Sequence, residues 1–279
     1  MTRPTARPTA PPATVEELRR AVLADATGAG PAAPTATAVF WLHHGTRLSG
    51  GDTTYLNQYL LVRSGGSFGA CAVEDGETDP ALCRRYTGAP LRALLGEDVP
   101  RPLRLAALDA LLAEASPHRE DPAAEPVGLP RGTPEERARA RDTAIAGLLD
   151  IPEGAKVALI GVVNPLVAAI RDRGGVCLPC DFNLRTTQWE EPVTDSMDEV
   201  LGCADAVVAT GMTLGNGSFD TILGRCRERG IPLVVYAQSG SAVARAFLGN
   251  GVTALSAEPF PFSQFSAEPT VLYRYRATA

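Results

Sequence analysis

The residue types best suited to chemistry stand together at Thr210-Gly-Met-Thr-Leu-Gly-Asn-Gly-Ser218. Thr210, Thr213, Asn216 and Ser218 bring three hydroxyls and an amide, while Gly211, Gly215 and Gly217 let a ligand come close to backbone N–H groups. Such an array suits an anion. The same turn could serve only to start a helix, with Ser218 or Asn216 as its cap, but four small polar side chains exceed what one cap requires. Asn164, Asn183, Ser239 and Ser241 are further ligand-binding candidates, and Asp181, Glu190 and His44 are the candidates for moving protons.

These residues need elements to position them. Ala206–Ala209 is apolar on both faces, as a parallel strand covered by helices should be. Lys156–Gly161, Val176–Cys180, Leu233–Tyr236 and Val252–Leu255 read as further strands. Pro165–Arg173, a short helix opened by Ser196 with Glu199, Phe219–Arg229 and Ala242–Leu248 read as the helices between them. Alternation at this spacing implies a doubly wound parallel sheet, whose ligands sit outside the carboxyl ends of the strands. Val162–Pro165, Asp181–Asn183, Thr210–Ser218 and Gln238–Ser241 would gather there. The first of these loops, Gly161-Val-Val-Asn-Pro165, lacks the further glycines of a dinucleotide fingerprint. Asp181, twenty residues past Gly161, stands where an acid would hold a ribose hydroxyl or simply end a strand.

Ahead of this domain the chain reads as a smaller α+β unit. Thr14-Val-Glu-Glu17 is a capping box opening a helix, Thr37–Leu42, Tyr55–Arg63 and Gly69–Val73 read as antiparallel strands, and Leu103–Ala115 as a core helix. The expected organisation is a disordered tail over 1–13, an amino-terminal domain over 14–115, a linker over 116–132 and the ligand-binding domain over 133–279. A third capping box, Thr133-Pro-Glu-Glu136, opens the last of these.

The 279 residues carry a formal charge of −6 and no basic patch, which argues against nucleic acid. The run Arg137, Arg139, Arg141 alternates with acids and reads as a solvated helix face. No apolar run reaches the roughly 18 residues needed to span a bilayer, and the start of the chain lacks a secretory signal, so the protein reads as cytoplasmic. Cys177-Leu-Pro-Cys180 is a lone CxxC whose residues would face opposite sides of a strand, and Cys71, Cys203 and Cys226 read as small buried hydrophobes. His43 and His44 are adjacent in a strand and cannot both grip one ion, although one could face a cleft with Asp52 or Tyr55. His118 falls in the linker, where a solvated role is expected. No zinc site is expected from these residues.

The stretch Thr210–Ser218 resembles the Thr-Gly-x-Thr-Leu-x-Asn-Gly-Thr motif of the heavy-metal chelation family, with Ser218 as its one departure. That resemblance implies a Rossmann-like carboxy-terminal domain, an enolase N-terminal-like domain before it, a ligand cleft between the two and a homo-oligomer. Two functions follow. One is an enzyme or enzyme-like protein acting on a small anionic metabolite such as an amino-acid derivative, in metallophore or other specialised metabolism, with the cofactor unknown. The other is a protein that binds a metal or metal complex without catalysis.

Overall fold

Strands covered on both faces must be apolar throughout, and four such segments build the centre of the sheet. In the computed structural model, which describes residues 11–25, 34–47 and 54–278, they are β5 (Lys156–Ile160), β6 (Val176–Cys180), β7 (Ala206–Thr210) and β8 (Leu233–Ala237). β5 lies between β6 and β7, β8 follows β7, and β9 (Ala254–Ala257) follows β8, every pair parallel. The α/β reading therefore holds, with β9 two residues later than expected.

Helices cover both faces. On one, Ile145, Leu148, Leu166, Val167 and Ile170 pack against Val157, Leu159, Val208 and Val234. They belong to or follow α5 (Pro134–Ala146) and α6 (Asn164–Asp172). On the other face, α7 (Met197–Cys203), α9 (Phe219–Arg229) and α10 (Ser241–Arg245) bury Leu201, Phe219, Ile222 and Val243 against Ala158, Val207 and Val235. Thr133 caps α5 in a complete box, its hydroxyl accepting from Glu136 N at 3.3 Å and its own N–H donating to the Glu136 carboxylate at 2.8 Å.

Ahead of the sheet, α1 (Val15–Asp25) precedes an antiparallel meander of β1 (Ala38–Arg47), β2 (Thr54–Ser64) and β3 (Ser67–Ala72). Short helices α2 (Leu82–Tyr86) and α3 (Leu91–Leu94) lead to α4 (Arg101–Ala115). Leu60, Val62 and Cys71 of the meander and Leu103 and Leu108 of α4 share one apolar cluster with the α7–α9 face of the sheet. Most of the tail expected over 1–13, and Asp52, lie outside the described residues.

Several local readings need correction. Residues 116–132, read as a linker, contain a 3-10 turn at His118–Glu120 and the strand β4 (Glu125–Leu129). β4 pairs antiparallel with β10 (Thr270–Arg276), and β10 with β9, so the sheet has seven strands and a mixed edge. The supposedly solvated run on α5 is partly interior: Arg137 is 2% and Asp142 0% exposed. Arg137 tolerates burial because it donates to the carbonyls of Ser263, Pro130 and Glu268 and to the Thr270 hydroxyl. His118 is buried as well, between Tyr275 and Ser241, and Cys203 is exposed rather than buried.

Candidate functional site

The motif after β7 folds into an extra turn of helix, α8 (Met212–Asn216), and spends its polar groups on itself. Thr213, 1% exposed, donates its hydroxyl to Thr210 O at 2.6 Å. Met212 N donates to the Thr210 hydroxyl, Leu214 N to Gly211 O and Gly217 N to Thr213 O. Asn216 is exposed, and its side-chain oxygen accepts both the N–H and the hydroxyl of Ser218, closing a turn with Gly217 at φ 88°. Gly211 and Gly215 are tight because protein, not ligand, fills the space: a Cβ would stand 2.3 Å from Ser239 O at the first and 2.9 Å from Ala72 O at the second. Arg101 of α4 then donates to the carbonyls of Leu214 and Gly215, completing the end of α8.

The second polar turn, Gln238–Ser241, is likewise filled from within. Asp109 of α4, 2% exposed, accepts Ala242 N at 2.8 Å and Val243 N at 3.2 Å with one oxygen, and Ala70 N at 3.0 Å with the other. A buried carboxylate thus sits where an anionic ligand could have docked on the start of α10. Burial pushes Asp109 up to about 6, against the pull of those N–H donors. Ser241 turns aside to His118 Nε2 at 3.2 Å, and Ser239 is buried.

The proton-moving candidates do not come together: no hydrogen bond, ion pair or ring contact joins any two of Asp181, Glu190 and His44. Asp181 accepts from Val162 N at 2.8 Å with one oxygen and from Asn183 N and Leu184 N at 2.8 and 3.1 Å with the other, tying the loops after β5 and β6. Glu190 is exposed at φ 61° in the tip of an arm held by Thr187. His44 stacks on Tyr59 with centroids 6.0 Å apart and meets Phe265 edge-on at 5.0 Å, and burial lowers its pKa. Asn164, 6% exposed, accepts Gln188 N at 3.0 Å and so fixes the same arm, while Asn183 is exposed.

A different cluster occupies the carboxyl edge of the sheet, on its α5 face. Tyr236, at the end of β8, donates to Gly161 O at 2.6 Å and is held from behind by the Thr210 hydroxyl. Gly161 must be glycine: its φ is 87°, and a Cβ would stand 2.4 Å from Thr210 Cγ2 and 3.2 Å from the Tyr236 oxygen. Arg141 reaches the same place from α5, with Nε on the Asp142 carboxylate at 2.7 Å. Its side chain is 18% exposed, and its two terminal nitrogens have no hydrogen-bond acceptor among the described residues. The other Asp142 oxygen is fully buried without a partner. Burial opposes the Arg141 charge, and Asp142 more than restores it, so the guanidinium stays protonated. Tyr59, Tyr236 and Glu258 all lie within electrostatic reach of it. Glu258, 3% exposed, accepts from Ser263 N and from Gln238 Nε2. Burial pushes Tyr59 up to about 12, so its hydroxyl remains a donor at neutral pH.

Sequence reasoning missed Arg141, Asp142, Glu258 and Tyr59. The available signal was the i, i+4 placement of Arg137 and Arg141 one turn ahead of Ile145, which puts the two arginines on nearly the core-facing side of α5.

Fold and cluster together define a Rossmann-like α/β protein with a buried polar centre at the carboxyl edge of its sheet. Residues 144–257 match the model of the DUF364 family, described as putative heavy-metal chelation. A protein of unknown function from that family in Desulfitobacterium hafniense is 15% identical with a TM-score of 0.60, over 93% of this chain and 97% of its own. Another, from Pyrococcus horikoshii, is 16% identical with a TM-score of 0.56, over 94% of this chain and 99% of its own. At such identities the likeness is one of fold. No protein of curated function matches the sequence. Among the described residues no helix is long and apolar enough to cross a membrane.

Among the described residues no three of His, Cys, Asp and Glu converge. Cys177 and Cys180 pack on opposite faces of β6, in separate apolar clusters, and burial pushes them up to about 12 and about 11, away from the thiolate that zinc requires.

Proposed function

We propose that the protein binds a small anionic metabolite at the carboxyl edge of the sheet, with the Arg141 guanidinium as its anchor. The observation that carries this reading is an arginine, its side chain 18% exposed, whose outer N–H groups have no acceptor among the described residues. Those N–H groups are open to solvent at the edge of the cluster, where a ligand carboxylate or phosphate would meet them in the fork geometry arginine favours. The Tyr59 hydroxyl is the natural second donor, and Thr210 of the family motif takes part by holding Tyr236 in place. In this reading the rest of 210–218 shapes the site from behind.

The test is binding of acetate, glutarate, inorganic phosphate and sulfate by calorimetry to the wild type and to Arg141→Met. At least one anion should bind, and the substitution should weaken it about ten- to a hundredfold, the value of a charge-assisted hydrogen bond. Equal binding by the variant would refute the assignment. The family description supports a second reading, in which the ligand is an organic metal complex presenting its anionic groups to Arg141. Elemental analysis of protein incubated with zinc alone, and with zinc citrate, separates the two: uptake only of the complex, lost in Arg141→Met, would favour it.

A further inference from the structure

Two buried carboxylates belong to the Arg141 cluster, Asp142, 0% exposed, and Glu258, 3% exposed. Among the described residues the one ion pair Arg141 makes is with Asp142, and Glu258 makes none. Glu258 is nevertheless tied to the same face of α5, because it accepts the Ser263 N–H while Arg137, one turn before Arg141, donates to the Ser263 carbonyl, and it lies within electrostatic reach of Arg141 and Asp142. An arginine with unfilled donors and a buried glutamate therefore stand within electrostatic reach but beyond ion-pair distance, with one Asp142 oxygen left unpartnered. Opposite charges buried apart leave both incompletely compensated, which a protein sustains where a third group is to come between them.

We propose that the ligand is a zwitterion of the amino-acid type, its carboxylate on Arg141 and its ammonium toward Glu258. This rests on the anion-binding reading above and adds the second pole. A ligand bearing only negative charge would leave Glu258 without a counter-charge, and one bearing only positive charge would meet Arg141 without an acceptor. A zwitterion satisfies both ends. Glu258 has room for the added donor: its two oxygens each accept one hydrogen bond from the protein, from Ser263 N and Gln238 Nε2, and a carboxylate can accept about four. Gln238 and Gln264 exchange hydrogen bonds at 2.7 and 3.1 Å and hold that carboxylate in place.

The experiment measures wild-type binding of matched probes by calorimetry: L-glutamate against glutarate, and L-phenylalanine against 3-phenylpropionate and phenethylamine. The amino acid of at least one pair should bind about tenfold or more tighter than its des-amino partner. In Glu258→Gln, which keeps the shape and the acceptor for Ser263 N, that preference should fall toward one, while Arg141→Met should weaken both members about ten- to a hundredfold. Circular dichroism confirms that the variants fold, and the wild-type preference needs no variant at all. Des-amino acids that bind as tightly as amino acids, and are lost in Arg141→Met, would overturn the zwitterion and leave the anion site standing. No binding by any probe at roughly 10 mM would overturn both.

Discussion

Gly215→Ala decides whether the family motif is tight for a ligand or for the protein itself. Considered alone, alanine should help, because α8 is helical at Gly215 and Ala exceeds Gly there by about 1 kcal/mol. The added Cβ, however, would stand 2.9 Å from Ala72 O and 3.1 Å from Cys71 Sγ. Unstrained contacts need roughly 3.5 Å, so β3 would have to retreat by about half an ångström. It is poorly placed to do so, since it is paired to β2, its Ala70 N–H is fixed on Asp109, and Ala70 O accepts Gly240 N at 2.9 Å. Overpacking of this kind costs about 1–3 kcal/mol, and a shift of α8 would also strain the bonds from Arg101 to Leu214 O and Gly215 O, each worth about 1.5–3 kcal/mol if lost. Net of propensity, a loss of about 2–3 kcal/mol follows, or a fall in Tm of about 4–10 °C for a chain of this size. Chemical and thermal denaturation of both proteins measure it. An unchanged or raised Tm would refute the packing argument, and an unchanged Tm with lost ligand binding would return the motif to the ligand.

Other substitutions test neighbouring claims. Asn216→Asp keeps the oxygen that Ser218 uses and sits in solvent, so stability should stay within about 0.5 kcal/mol and anion binding should be nearly unaffected; a hundredfold loss of binding would place the ligand on the turn after all. Tyr236→Phe removes the donor to Gly161 O and should cost about 1–2 kcal/mol in urea unfolding, and a neutral result would show that water replaces it. Two buried groups should shape stability against pH in opposite senses. Burial, reinforced by Arg245, lowers His118 to about 3, so its contribution is full above the unfolded value near 6.5 and is lost as pH falls toward 3, by about 5 kcal/mol in all. Asp109, raised to about 6, contributes most below about pH 4 and loses about 3 kcal/mol as pH rises through 6. Urea unfolding between about pH 4 and 7 should therefore show a steeper loss in acid for Asp109→Asn than for the wild type, and a shallower one for His118→Gln; unchanged slopes would refute the assignments.

The central strands were legible because a strand covered on both faces needs no alternation and ends in a turn: Val-Ala-Leu-Ile at β5 and Ala-Val-Val-Ala at β7 say so without help. The edge strands were not. β4 is Glu-Pro-Val-Gly-Leu, with a proline and a glycine that mark it as loop, and it exists because β10 offers it a partner from the far end of the chain. The same limit governs the site. Arg141 and Asp142 look like neighbours on a wet helix until the end of β8 and the loop after β9 are folded over them.

The two polar turns make the point most sharply. Their composition rightly announces a place where N–H groups at the carboxyl edge of a sheet want an acceptor, but composition does not say whose. At Gln238–Ser241 the acceptor is Asp109, more than a hundred residues earlier in the chain and within a helix read only as apolar core. At Thr210–Ser218 the acceptors are the turn's own oxygens, and the carbonyls left at its end are met by Arg101. Both sequence-defined sites are thus used to seat the meander and α4 against the sheet. Donors still without acceptors are then the better guide to a ligand than donors that merely look available, and the terminal nitrogens of Arg141, at the carboxyl edge beside Tyr236 and Glu258, are among them.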